Sequence, residues 1–220
     1  MILVKFDLLH QVVIKNIRSS ICYLILKFKG VNIKGIVALY GKLRIIGYGN
    51  NIIIGKGCSM GNNIKLVVNR NGNLIIGDNT LLSDNVNIMA GNGKIFIGSN
   101  LMIAANSYII NNDHDIFDNL SVRNSGHIHK DVVIEDNCWI GANVAILKGV
   151  TIGEGSIVGA GSIVNKSIPP FCIAVGNPCR VIKKRFEDEV LRDKLLKDNR
   201  TIEMVEKCIK DRNEKYNSGK

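Results

Sequence analysis

The sequence predicts an all-β solenoid, in which short strands coil around an aliphatic core. An aliphatic residue recurs at every sixth position between residues 134 and 164, namely Ile134, Ile140, Ile146, Ile152, Val158 and Val164. Isoleucine occurs 34 times and asparagine 26 times in 220 residues, which together exceed a quarter of the chain. The apolar spacings of three and four that an amphipathic helix requires are missing from these segments.

A period of six residues fits a short strand that ends in a sharp bend. Each strand places one large side chain inward, and the bend favours glycine and asparagine because these residues tolerate positive φ. The sequence supplies such bends at Gly77-Asp78-Asn79, Gly98-Ser99-Asn100 and Asp136-Asn137. Three strands and three bends make a coil of about 18 residues, and stacked coils bury a continuous column of side chains.

The pattern divides the chain into three parts. We predict a helical cap segment at 1–42, with a helix at 3–28, a solenoid domain at 43–184, and a helical tail at 185–220. The tail has apolar residues at helical spacing in two stretches, 185–197 and about 200–215. The hexads are interrupted between residues 111 and 132, which predicts a protruding loop. Long structured loops in repeat proteins are often functional, and this one contains three of the four histidines.

Charge and cysteine content exclude several classes of protein. The net charge is +10, but residues 51–179 carry eight bases and nine acids, so we expect no nucleic-acid binding by the body of the protein. The six cysteines have no CxxC spacing, which indicates reduced thiols in a cytoplasmic protein without a zinc site. There is no run of 18 apolar residues and no cleavable signal, so we expect neither a spanning helix nor secretion.

The motifs together resemble a known family. They are Ile134–Ala142, Ile146–Gly153, Val158–Val164, Ile168-Pro169-Pro170 and Ala174–Lys183. In combination they are similar to the hexapeptide-repeat acyltransferases, in the branch of galactoside, maltose, nodulation-factor and polysaccharide O-acetyltransferases. This resemblance implies a left-handed parallel β-helix and a homotrimer with active sites at subunit interfaces. It also implies acetyl-CoA as the acyl donor, with no metal required.

The resemblance also implies catalytic residues. The histidine of this branch lies where the loop leaves the solenoid, which here is His114. A histidine suits removal of a hydroxyl proton near neutral pH, and no acyl-enzyme intermediate is then needed. Asp113 or Asp115 would orient the ring, or both are solvated loop residues; we include Asp115 in the predicted site. Asn85 lies in an Asn-x-Asn-like segment near the acceptor, or serves only as a corner residue.

A second set of residues is predicted to bind acetyl-CoA. Backbone groups at Ala142 and Ala160 match positions that contact the pantetheine arm, and the neighbouring Gly141 belongs to the same segment. Three bases match positions near the phosphates of the coenzyme, or form a solvated edge: Lys166, Arg180 and Lys183. Trp139 lines the groove or fills an interface. A carbonic-anhydrase-like metal site at the three loop histidines is disfavoured by their spacing.

Three functions of different classes are consistent with these residues. The first is acetyl transfer to a hydroxyl of a sugar or surface polysaccharide, or of its lipid-linked precursor. The second is acetylation of a small molecule such as an antibiotic, a free sugar, an amino sugar or an amino acid. The third is a solenoid that binds without catalysing, which the combination of His114 with the coenzyme-edge residues disfavours.

The N-terminal segment carries a separate prediction. Residues 1–50 hold eight bases and the single acid Asp7, among many apolar residues. Such a segment can lie on anionic lipid, which predicts peripheral contact with the cytoplasmic face of the inner membrane. The alternative is a helix that caps the first coil and covers its exposed edge.

Overall fold

The computed structural model describes residues 19–21 and 23–218. Residues 19–21 and 23–28 are helical and form α1, while the rest of the helix predicted at 3–28 lies outside the described residues. Helices α2 (Asp188–Lys197) and α3 (Ile202–Ser218) end the chain. Two short 3-10 turns lie at Gly49–Asn51 and Val122–Asn124.

Short β-strands make up the part of the chain between the helices. In chain order they are β1 Asn32–Ile33, β2 Ala38–Leu39, β3 Leu43–Gly47, β4 Ile52–Ile54, β5 Ser59–Met60, β6 Ile64–Val68, β7 Gly72–Ile76, β8 Leu81–Leu82, β9 Asn87–Ala90, β10 Gly93–Ile97, β11 Met102–Ile103, β12 Tyr108–Ile110, β13 Asn112–His114, β14 His127–His129, β15 Val132–Ile134, β16 Trp139–Ile140, β17 Ala145–Ile146, β18 Thr151–Ile152, β19 Ile157–Val158, β20 Ile163–Val164, β21 Cys172–Val175 and β22 Arg180–Lys184.

The strands form a solenoid with three sheets. The first sheet has the order β1-β4-β7-β10-β15-β18, the second β2-β5-β8-β11-β16-β19-β21-β22, and the third β3-β6-β9-β12-β17-β20. All neighbours in these sheets are parallel, apart from the final pair β21–β22. The predicted all-β solenoid is confirmed, and its handedness stays a prediction from the resemblance.

The core consists of aliphatic side chains stacked in register. Inward residues of the first sheet are Ile33, Ile54, Ile76, Ile97, Ile134 and Ile152, which face their equivalents one coil away. Five of these six are at most 1% exposed. Burial of each large aliphatic side chain stabilises the fold by about 1.5–3 kcal/mol, so the hexads account for most of the stabilisation.

Corner asparagines adopt the predicted left-handed backbone. Asn79, Asn100 and Asn137 have φ of 53°, 58° and 61°. They occupy one corner of successive coils, where Asn79 donates a side-chain hydrogen bond to Asn100 at 3.3 Å. The excess of asparagine therefore follows from a bend that must repeat once per coil in the same conformation.

Both boundaries of the solenoid can now be compared with the sequence prediction. Strands β1 and β2 already belong to the sheets, so the solenoid begins at Asn32 rather than at 43. The reason is that Ile33 and Leu39 continue the hexad series upstream of Ile45, while further apolar residues at 36–38 obscure the period of six. The C-terminal boundary at 184 coincides with the end of β22.

The C-terminal helices build a small core of their own. Its buried members are Phe171, Leu191, Leu195, Val205 and Ile209. Helices were predicted at 185–197 and about 200–215, and the structure places α2 and α3 there.

Candidate active site

The protruding loop is a β-hairpin at its base. Strands β13 and β14 are antiparallel, and His114 pairs with His127 across them. Their imidazole ring centroids are 4.4 Å apart at an interplanar angle of 37°, and the His127 and His129 centroids are 6.1 Å apart. The hairpin therefore gathers the three loop histidines, with His114 exposed where the chain leaves the third sheet.

The base of the hairpin is fixed to the preceding coil. The buried Asn111 accepts a hydrogen bond from the Gly91 amide at 2.7 Å and donates one to the Asn92 carbonyl at 3.2 Å. His129 Nδ1 accepts from the Asn92 amide at 3.1 Å. A Cβ at Gly91 would lie 2.7 Å from that Nδ1, so only glycine allows the ring to approach so closely. The sequence analysis missed this role of Asn111 and His129.

His129 is held in its neutral form. Burial, and secondly the neighbouring His127, lower the pKa of His129 below its usual value. The hydrogen bond to Nδ1 requires a lone pair there, which a neutral imidazole provides and an imidazolium does not. His129 consequently anchors the hairpin rather than exchanging protons, and His114 remains the exposed histidine at the loop exit.

Neither loop carboxylate bonds to His114 within the described part of the chain. Asp113 makes an ion pair with Lys148 of the following coil. Asp115 accepts a hydrogen bond from the Phe117 amide at 3.1 Å, which stabilises the turn into the loop. The structure thus gives Asp115 a local structural contact, and its predicted catalytic role stays a prediction.

Asn85 lies in a ladder of corner asparagines. Its φ is 59°, its Nδ2 donates to Asn106 Oδ1 at 3.0 Å, and its Oδ1 accepts from Asn63 Nδ2 at 2.9 Å. Both polar atoms of the side chain are therefore engaged along the corner between the second and third sheets. This geometry supports the corner role that the sequence left open beside the catalytic one.

The residue type at this corner differs between the early and the late coils of the solenoid. In the early coils, Asn62 Oδ1 accepts from the Lys42 amide at 2.9 Å and Asp84 Oδ1 accepts from the Asn62 amide at 2.7 Å. In later coils the position is occupied by alanine: Ala105, Ala142 and Ala160. We call these three residues the alanine corner.

The alanine corner leaves backbone amides without side-chain caps. Within residues 19–21 and 23–218, the amides of Asp84, Ala105 and Ala142 make no hydrogen bond to the protein. Uncapped amides beside small side chains form an open, donor-rich edge that an extended ligand with amide carbonyls can pair with. Two of the three alanines are the predicted coenzyme-binding residues.

Trp139 and Gly141 lie just before the alanine corner. Trp139 is 49% exposed on the outer face of the second sheet, beside Met102 at 51% and Leu81 at 37%. A Cβ at Gly141 would lie 2.6 Å from the Ala160 amide nitrogen, so the glycine permits the coils to stack. Trp139 is therefore available to a ligand or subunit, while Gly141 has a structural function.

A basic cleft lies at the C-terminal end of the solenoid. Its volume is about 560 Å³, and its lining includes Lys166, Arg180, Lys215 and the carboxylate of Glu135. Arg180 donates to the Asn165 side chain at 3.2 Å and to the Cys179 carbonyl at 2.7 Å, which holds its guanidinium in place.

The lining of this cleft differs from the predicted set of bases in two residues. Lys183 is exposed on β22 and is not among the residues that line it. Lys215 lines it from the last turn of α3, which the sequence predicts only as part of the helical tail. The sequence does not show that Lys215 reaches the cleft. Lys215 is far from Lys166 and Arg180 along the chain, and it comes near them only because α3 packs against the solenoid.

The described thiols are poor nucleophiles. Burial raises the pKa of Cys138 to about 12 and that of Cys172 to about 11, so both are protonated at neutral pH. Among the residues that the structure describes, no group of three or more histidine, cysteine or acidic side chains is placed to hold a metal ion. No helix within the described ranges is long and apolar enough to cross a membrane.

Comparison with known proteins decides the family. The sequence profile of the bacterial transferase hexapeptide, with six repeats, matches residues 131–166. The crystal structure of a maltose O-acetyltransferase from Clostridium difficile 630 is 33% identical, with 74% of each chain covered and a TM-score of 0.50. The chain belongs to the hexapeptide-repeat transferase family.

Other relatives of this hexapeptide transferase extend the comparison. A Staphylococcus aureus strain COL protein, provisionally named an acetyltransferase, is 43% identical over 82 residues, 36% of this chain and 39% of that protein. An Escherichia coli K12 protein, provisionally named the colanic acid biosynthesis acetyltransferase WcaF, is 34% identical over 53% of this chain and 61% of its own length. The chain thus aligns with less than two thirds of the length of each of these curated relatives.

A solved structure covers more of the hexapeptide transferase. AntD, an N-acyltransferase from Bacillus cereus in complex with dTDP and 3-hydroxybutyryl-CoA, has a TM-score of 0.66 and 25% identity. The alignment covers 81% of this chain and 97% of AntD. The similarity therefore extends well beyond the repeats at 131–166 that the family profile matches.

Proposed function

We propose that this protein is an acetyl-CoA-dependent O-acetyltransferase that acts on a hydroxyl of a sugar or surface polysaccharide, or of its lipid-linked precursor. The alanine corner is the observation that carries the proposal. Its uncapped amides can hydrogen-bond the carbonyls of a pantetheine arm, and the alanine side chains leave room for that arm. Lys166, Arg180 and Lys215 supply cations for the phosphates at the other end of the coenzyme.

The reaction needs a single base. His114 removes the proton of the acceptor hydroxyl while its oxygen attacks the thioester carbonyl, which forms a tetrahedral intermediate. The C–S bond then breaks, and the imidazolium returns the proton to the departing thiolate. The protonated, buried thiols support a direct transfer rather than an acyl-enzyme. His127, whose ring lies tilted beside that of His114, positions the His114 ring.

Relatives support a sugar as the acceptor. Maltose O-acetyltransferase and the provisionally named colanic acid enzyme act on carbohydrates according to their names. The extent of the match to AntD, an N-acyltransferase also solved with dTDP-4-amino-4,6-dideoxyglucose, supports a second candidate, which is N-acylation of an amino sugar. We also propose a homotrimer in the cytoplasm, as the family resemblance implies. A neighbouring subunit would then enclose His114 and Trp139, which are exposed on the single chain.

The test is thiol release from acetyl-CoA in the presence of a pool of sugars, amino sugars and glycans. His114→Ala should lower kcat by roughly 10²–10⁴-fold, which is the usual contribution of a general base. His127→Phe is the matched control, since it keeps an aromatic ring beside His114 and should retain turnover within about tenfold of the native protein. Mass spectrometry of the product distinguishes an ester from an amide.

Each outcome decides a part of the proposal. A large loss in His127→Phe with full activity in His114→Ala would move the base to His127. Turnover of amino sugars alone, with an amide product, would replace O-acetylation by N-acylation. Absence of acetyl-CoA binding in equilibrium dialysis would exclude the acyltransferase.

A further inference from the structure

Helix α1 directs an apolar stripe away from the protein. Its inward side chain, Leu26, is 2% exposed and joins the core of the first coil. On the outer side, Ile21, Leu24, Ile25 and Phe28 are 53%, 68%, 50% and 94% exposed. Their spacing of i, i+3, i+4 and i+7 places them on one face of the helix, the arrangement normally turned toward a core.

The first coil extends this apolar surface. Ile36 is 82% exposed at a bend beside α1. A hollow of about 790 Å³ lies between them, lined by Tyr23 and Leu24 of the helix and by residues 33–38 of the coil. We define the N-terminal face as Ile21, Leu24, Ile25, Phe28 and Ile36. A contiguous exposed surface of this kind marks an interaction site rather than an ordinary protein surface.

The charge around the N-terminal face has one sign. Lys27, Lys29 and Lys34 are exposed at its edge, and within the described part of the chain none of them forms an ion pair with a carboxylate. The sequence has no acidic residue between Asp7 and Asp78, whereas it has ten bases in that interval.

We infer that the N-terminal face docks onto an anionic lipid bilayer, with the apolar stripe among the acyl chains and the lysines at the phosphate level. Charge complementarity selects this occupant. A second copy would bring the same lysines together, which like charges disfavour. Residues 1–18 cannot neutralise the face either, because they contain Lys5, Lys15 and Arg18 against Asp7 alone.

Vesicle flotation of the full-length protein tests this inference and does not depend on its enzymatic activity. The probes are vesicles of phosphatidylglycerol mixed with phosphatidylcholine, and vesicles of phosphatidylcholine alone. We expect flotation only with the anionic vesicles. Leu24→Ser combined with Phe28→Ser should weaken partitioning at least tenfold, roughly the loss expected from two large apolar side chains. Neutralising Lys27, Lys29 and Lys34 to Gln should weaken it by roughly fivefold per lysine.

Matched controls lie at the opposite end of the molecule. Ile182→Ser with Met204→Ser removes two side chains of comparable exposure, 54% and 57%, and should leave flotation unchanged. Far-UV circular dichroism checks that each variant is folded. A native protein that stays with the soluble fraction would overturn the inference, as would equal losses in the control. A smaller assembly in Leu24→Ser/Phe28→Ser by sedimentation velocity would also overturn it, because the face would then be a contact between copies.

Discussion

Helices pack against both ends of the solenoid, but they bury their apolar side chains to different extents. At the C-terminal end, α2 and α3 pack against each other and bury Leu191, Leu195 and Val205 to 4% exposure or less. Arg212 is fully buried there and is paired with Asp188. At the N-terminal end, α1 buries Leu26 and leaves its apolar stripe exposed. Among the described residues, one end is closed by packed helices, whereas the other leaves an apolar stripe exposed, which is the surface proposed above to dock onto lipid.

The same contrast continues along the corner between the second and third sheets. Early coils satisfy their corner amides with Asn62 and Asp84, whereas later coils place alanine there and leave the amides free. The early coils thus cap the Lys42 and Asn62 amides, while the end of the solenoid to which they belong exposes apolar side chains. The C-terminal coils have the opposite character, which suits an extended polar ligand with phosphates rather than a lipid surface.

The largest expected difference is in the free energy of unfolding. Leu195→Ala removes a buried side chain from the small C-terminal core and should cost about 2–5 kcal/mol. Leu24→Ala removes an exposed side chain and should change stability by no more than about 0.5 kcal/mol. Urea denaturation of both variants measures the difference. Equal destabilisation would show that the N-terminal face is buried in solution.

The buried arginine gives the next largest effect. Asp188→Asn leaves Arg212 without its charge partner and should destabilise the protein by roughly 2–3 kcal/mol, less than for a fully buried pair because Asp188 is partly exposed. Glu206→Gln, which breaks the exposed pair with Arg192, is the control and should leave the free energy of unfolding nearly unchanged. A similar loss for both, measured by chemical denaturation, would contradict the distinction.

Acid should loosen the C-terminal end selectively. Burial raises the pKa of Asp188, but the hydrogen bond from Asn213 and the ion pairs with Lys184 and Arg212 outweigh it and lower that pKa below its usual value. A carboxylate of this kind stabilises the fold above its unfolded pKa of about 3.9, and the stabilisation is lost as pH falls through the folded value. The effect is at most that of Asp188→Asn.

Hydrogen exchange followed by mass spectrometry at about pH 5 and about pH 3 checks this prediction, after correction for intrinsic exchange rates. Protection of α3 should fall in acid, while protection of the first coil should change little, since no carboxylate lies between Asp7 and Asp78. An equal loss of hydrogen-exchange protection in α3 and in the first coil would contradict this prediction.

The smallest effect on stability is expected at the alanine corner. Ala142→Asn restores a side-chain acceptor for the free Ala105 amide, as Asn62 supplies to Lys42, and should stabilise the fold by about 0.5–1.5 kcal/mol. If the proposed acyl donor lies on this corner, the same substitution should weaken acetyl-CoA binding by at least roughly tenfold, which corresponds to a loss of about 1.4 kcal/mol in binding free energy. Isothermal titration and thermal melting measure the two effects, and unchanged affinity would remove the corner from the binding site.

The repeats explain why so much of the fold was predictable. Ile140 and Ile146 are inward because each coil repeats the same strand and bend, so a local period specifies a global column. Asn79 and Asn137 were identified as corners for the same reason. The first coil is less evident in the sequence, because Ile33 and Leu39 give only two hexad positions and further apolar residues at 36–38 obscure the period.

The candidate site was less predictable, since its parts come from different coils. His114 follows from the loop exit, but the anchoring of His129 over Gly91 depends on a contact between residues 38 positions apart. Lys215 reaches the basic cleft only because α3 folds back over the last coils. Asp115 and Lys183 were selected by position in the sequence, and their side chains are oriented by local turns and strand edges.

The sequence by itself determined the solenoid, the position of the protruding loop and the terminal helices. Hexads and helical spacing are local patterns, and each of them specifies which side chains of a segment must be buried and therefore which secondary structure it forms. Only the tertiary structure decided which polar groups are hydrogen-bonded and which apolar surfaces are covered. Whether an amide is capped, a cation is gathered into a cleft or an apolar stripe faces outward depends on which residue of the neighbouring coil or helix lies opposite. That pairing is set by stacking register, which no single segment of the chain contains.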